Sequence, residues 1–96
     1  MTLCIETQKS KIEDYYNLLR KVQKLLLECK SEIFRLRNVR TRASNPHVIA
    51  KIDDKIEKLT NIRLYLENVI LYARKCRHQG HLDEALEVLK EVLGDV

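Results

Sequence analysis

An all-α fold, a long antiparallel helical hairpin carrying a short third helix, follows from three features of this 96-residue chain. Glycine and proline are scarce, two and one respectively, too few for the turns of a strand-rich fold. Apolar residues recur at alternating steps of three and four, the period of a helix that packs along one face. The punctuation falls in two places before the last residues, Asn45-Pro46 and Gly80. The length allows one domain, residues 1–96. With 45% hydrophobic and 33% charged residues the chain falls outside the disordered and membrane-embedded classes.

Helix 1 is predicted over about residues 10–38. Ser10 and Glu13 make an S-x-x-E capping box at its start. Ile12, Tyr15, Leu19, Val22, Leu26, Cys29, Ile33 and Leu36 then step by 3, 4, 3, 4, 3, 4, 3, a seam that packs against another helix. Leu18, Leu25 and Val39 widen that seam to the stripe of a bundle helix.

Asn45 can cap the next helix, and Pro46 suits its first position. Helix 2 is predicted over residues 46–78, with Ile49, Ile52, Ile56 and Leu59 followed by Ile62, Leu66, Val69, Ala73 and Cys76. Its register slips by one residue near Leu59. Gly80 is the stop, at the left-handed position after a helix. Helix 3 is predicted over about residues 82–93, buried through Leu82, Ala85, Leu86, Leu89, Val92 and Leu93.

Two local resemblances accompany this pattern. Ala73, Gly80 and Ala85, the last two within Gly-His-Leu-Asp-Glu-Ala-Leu, resemble one tetratricopeptide-type helix pair over roughly residues 63–93. Cys76 and Leu89 stand where that motif carries large aromatics, and one copy forms no solenoid. The resemblance therefore implies helix-turn-helix geometry and not membership. Tyr15-Tyr16-Asn17-Leu18-Leu19-Arg20 resembles the L-Y-R motif of small basic three-helix mitochondrial assembly factors in its Leu-Leu-Arg part and one Tyr. Asp14 and Tyr16 depart from that motif, and Tyr15 and Leu19 already belong to the seam.

The lengths suggest a function. Helices 1 and 2 are each about 45 Å long and helix 3 about 18 Å, so helix 3 roofs one end of the hairpin. The distal half is then left open to a partner through Ile33, Phe34, Leu36, Val39, Ile49, Ile52 and Ile56. Large apolar side chains left wet are costly and adhesive. A protein partner is expected, either a second copy forming a homodimer with a four-helix-type core or another helical subunit. The chain thus reads as a non-enzymatic adaptor or assembly module. No Gly-rich phosphate loop, H-E-x-x-H or G-x-S-x-G occurs, so no catalytic residues and no cofactor are expected.

The net charge of +4 is unevenly spread. Arg35, Arg37, Arg40 and Arg42, with Lys51, make a basic patch at the hairpin tip. The alternative reading is a nucleic-acid-associated protein using that patch. Against it stand few aromatics, no reading-helix motif and an acidic third helix. Cys4, Cys76, His78 and His81 are the one zinc-like set. Their spacing matches no established finger, and no metal is expected.

The opening Met1-Thr2-Leu3-Cys4-Ile5-Glu6 lacks the regions of a signal peptide. No apolar run reaches about 18 residues, so no membrane span is expected. Three cysteines make no even disulfide set. An intracellular, reducing compartment is expected, cytoplasm and nucleus being equally compatible.

Overall fold

A computed structural model describes the backbone of residues 2–94 and the side chains of residues 9–94. The chain is an all-α three-helix bundle: α1 spans Thr2–Arg42, α2 Pro46–His78 and α3 Leu82–Val92. Among the described residues no helix is long and apolar enough to cross a membrane.

Helix α2 begins as the sequence indicates. Asn45 is its N-cap, in extended conformation, and its side-chain oxygen accepts from the His47 amide at 2.9 Å. Pro46 follows at the first helical position, where no amide hydrogen is required. The end of α2 is a Schellman motif. The His81 amide donates to the Cys76 carbonyl at 2.8 Å and the Gly80 amide to that of Arg77 at 3.2 Å. Gly80 has φ 84°, the left-handed region that a Cβ resists. An added Cβ there meets no atom within 4 Å, so the cost of a side chain is purely conformational. Gly80→Ala is expected to destabilise the fold by about 1 kcal/mol, read as a lower urea midpoint at unchanged slope.

Helix α1 departs from expectation at both ends. It starts at Thr2, so Ser10 and Glu13 lie inside the helix, both exposed, and do not cap it. The physical reason is that a capping box adds about 1 kcal/mol where a helix begins but cannot stop one. Nothing in residues 2–9 breaks a helix, and propagation is favourable once a nucleus exists. At the other end the helix continues to Arg42, four residues past Asn38. There the Ala43 amide still donates to the carbonyls of Val39 and Arg40.

The core sits at one end. Tyr15, Leu18, Leu19 and Val22 of α1 pack with Leu66, Val69, Ile70, Ala73 and Cys76 of α2 and with Ala85, Leu86 and Leu89 of α3. Ala73 and Ala85 are fully enclosed, and their small size lets α2 and α3 approach closely. Lys11 and Asp83 at 2.9 Å, and the hydrogen bond Tyr72 donates to Glu84, close the two rims of α3. Beyond α3 the seam is only one residue wide on each helix: Cys29, Ile33 and Leu36 of α1 and Ile52 of α2. There the Cys29 thiol donates to the Leu59 carbonyl at 3.2 Å.

The outline follows from the helix lengths. The molecule measures 67 × 23 × 16 Å with a radius of gyration of 18.1 Å. A compact domain of this length has a radius near roughly 12–13 Å. The excess is the two-helix arm that α3 does not reach.

Candidate protein-interaction site

The seven residues assigned to the open half fall into three environments. Ile33, Leu36 and Ile52 are buried within the single chain, because the stripes of α1 and α2 meet along that line. They are interior residues of the hairpin, not part of an accessible groove. Ile49 and Ile56 are half-buried at its edge. Val39 is exposed, and Phe34 is 68% exposed. The arm is therefore closed along its midline and open along its flanks.

One flank carries apolar residues that the seam pattern does not reveal. Leu27 and Leu71 are 64% and 63% exposed, and Tyr16 and Leu64 are also exposed. Tyr16, Leu27 and Phe34 are spaced by eleven and seven residues. Both steps return to about the same side of a helix with 3.6 residues per turn. Leu64 and Leu71 repeat the seven-residue step on α2. This second stripe was legible as a spacing, but it lies off the 3-4 seam and is too sparse to register as an amphipathic face.

That flank also contains a groove. Tyr15, Tyr16 and Leu19 of α1 face Arg74, Arg77 and His78 of α2. The groove continues past Arg74 between Gln23 and Leu26 on one side and Glu67, Ile70 and Leu71 on the other. Tyr15 and Tyr16 stack edge to face with centroids 5.1 Å apart. Burial raises the Tyr15 pKa, with Tyr16 adding to the rise and Arg74 and Arg77 opposing it. No residue of α3 lines either part of the groove.

No family model, curated protein or solved structure matches this chain. Its function must therefore be read from its own surface.

The basic patch at the tip is partly neutralised. Arg40 donates through Nε and a second guanidinium nitrogen to the two carboxylate oxygens of Asp53. Arg35 makes the same fork with Glu32, one turn away. These hydrogen bonds hold both guanidinium pKa values above the ordinary one, and the bond from Arg35 lowers that of Glu32. Arg37, Arg42 and Lys51 remain exposed and, among the described residues, without an ion pair. Half of the arginines that would meet phosphate already have carboxylate partners, which weakens the patch as a nucleic-acid site.

The zinc-like set is not assembled among the described side chains. Cys76 is buried in the apolar core, whereas His78 and His81 are exposed. The core position gives Cys76 the part of a small hydrophobe. The Cys4 side chain lies outside the described residues.

Proposed function

We propose that this chain is a non-enzymatic protein-interaction module whose distal half pairs with a second copy of itself. The observation that carries this reading is Phe34, a large aromatic 68% exposed on the arm that α3 leaves unroofed. Val39 and Val48 are exposed on the same arm, and Ile49 and Ile56 are half-buried there. Two such arms laid together form a four-helix core, an arrangement that hides these flanks from water. A two-fold pairing applies each patch twice, so one anchor residue per chain contributes on both sides of the axis. Aromatic anchors dominate interfaces of this kind. We place the module in a reducing compartment, where Cys29 and Cys76 stay thiols.

Sedimentation mass tests the reading. The wild-type chain is expected at twice 11.4 kDa at micromolar concentration, and Phe34→Asp at the mass of one chain. Because Phe34 makes little contact within its own chain, its replacement should leave the helical content and melting temperature within the small change usual for surface substitutions, about 0.5 kcal/mol. A single-chain mass for the wild type up to high concentration removes the self-pairing.

A further inference from the structure

The groove on the flank away from α3 joins an apolar floor to a basic end. Leu26 and Ile70 form the floor, with Leu71 at its rim. Arg74 and Arg77 stand at the end. Arg20 lies one turn beyond Tyr16, and Lys75 follows Arg74. Among the described residues none of these four cations has an ion-pair partner. The Arg77 Nε is buried without a hydrogen-bond partner. Glu67, the acid on the groove wall, is already held by Lys30 at 3.9 Å and Arg63 at 3.7 Å.

The chain already carries one ligand of its own hairpin, and that ligand has a definite chemistry. Helix α3 presents Leu82, Leu86 and Leu89 inward, while Asp83, Glu84, Glu87 and Glu91 are exposed. Its flanking carboxylates reach Lys11 on α1 and Tyr72 on α2. The groove on the other flank offers the same combination of apolar trough and basic or hydroxyl-bearing rim. Its span along α2 from Glu67 to His78 is about 16 Å, close to the length of an 11-residue helix such as α3.

We propose that this groove takes an acidic amphipathic helix from a partner protein, its apolar side on Leu26, Ile70 and Leu71 and its carboxylates on Arg74 and Arg77. Helix-in-groove binding of this type reads apolar anchors at i, i+3, i+4 and i+7 and leaves the flanks to charge. A nucleic acid would satisfy the arginines but would leave the exposed Leu71 in water. The inference rests on the reading of the chain as an interaction module, yet it concerns the end of that flank beside α3, whose lining does not include Phe34.

The probe is a fluorescein-labelled synthetic helix of about 14 residues with Leu at the four anchor positions and Glu between them. Its anisotropy is titrated with the full chain. Saturable binding is expected that weakens about fivefold or more between low and moderately high salt. The counterpart peptide with Lys in place of Glu is expected not to bind. The double variant Leu71→Asp, Arg74→Glu is expected to lose at least about tenfold in affinity. Both replaced side chains are exposed, so circular dichroism of this variant should match the wild type. On the wild-type chain, amide shifts on peptide addition should centre on residues 16–27 and 67–78.

Equal binding of the Lys peptide, an unchanged affinity in the double variant, or shifts centred elsewhere each overturn the proposal. So does displacement of the peptide by a single-stranded oligonucleotide that binds the same residues more tightly. Failure of the peptide while Phe34→Asp still halves the sedimentation mass removes this groove's assignment and leaves the pairing of the arms standing.

Discussion

Leu89→Ala should detach α3 from the hairpin. Leu89 is fully enclosed and sits in the one cluster to which all three helices contribute. Truncating such a residue removes its transfer free energy and leaves a cavity, together about 2–5 kcal/mol. Helix α3 has 11 residues, and isolated helices shorter than about 12–15 residues are marginal in water. Its helicity therefore depends on docking. The rim contacts Lys11–Asp83 and Tyr72–Glu84 involve exposed groups, and such pairs contribute about 0–1 kcal/mol. They cannot hold the helix once its anchor is gone. A domain of this size has a total stability of roughly 5–10 kcal/mol, so the loss is a large fraction. The melting temperature should fall by about 10–20 °C. Hydrogen exchange in residues 82–92 should approach the unprotected rate before the hairpin melts. Full protection of those amides in the variant would show that α3 is held by something other than this contact.

The parts of the fold legible in the sequence are those fixed by single residues with one physical meaning. Asn45 can cap a helix and Pro46 suits its first position, and Gly80 suits the left-handed turn that ends one. Both boundaries of α2 follow. The start of α1 was not legible, because Ser10 and Glu13 favour a helix start without opposing a helix already under way. The order of the helices and the cover of one end by α3 also followed from spacing and length alone.

The site was less legible than the fold. Ile33, Leu36 and Ile52 stand on the seam, and a seam residue faces whichever helix is nearest. In the arm that helix belongs to the same chain, so these residues are consumed by the hairpin itself. What remains on the outside is set by side chains off the seam. Leu27 and Leu71 carry no periodic neighbour at three or four residues on their own side, so each looks like an isolated surface leucine. Only the three-dimensional juxtaposition of α1 and α2 sets Leu71 at the rim of a groove, opposite Gln23 and Leu26. Charge behaves in the same way. The run of arginines at the tip is prominent in the sequence, but Asp53 and Glu32 reach two of its four members. Leu26 and Arg74, 48 residues apart, are brought to one groove by the hairpin, and among the described residues Arg74 has no carboxylate partner.

Ile33→Asp and Ile52→Asp separate folding of the arm from its association. Both isoleucines are buried in a region where only two helices overlap, and neither belongs to the three-helix cluster. Each replacement loses the burial of a large side chain, about 1.5–3 kcal/mol. It also places a carboxylate in the apolar midline between the two helices, where a charge is costly to bury. The sum of about 3–5 kcal/mol is comparable with the largest single-residue effects. The damage should be regional. The arm contributes Cys29, Ile33, Leu36 and Ile52 to its own interior and shares none of them with α3. Its amides, from about residue 29 to residue 56, are therefore expected to lose protection while residues 66–89 keep theirs, the pattern of a sub-global opening. Phe34→Asp, one residue from Ile33 but on the outside of α1, should change the sedimentation mass and leave that exchange pattern intact. The two neighbouring substitutions thus act on different equilibria. If Ile33→Asp instead lowers protection uniformly through both ends, the arm and the three-helix cluster form one cooperative unit and the thin seam is stronger than its width implies.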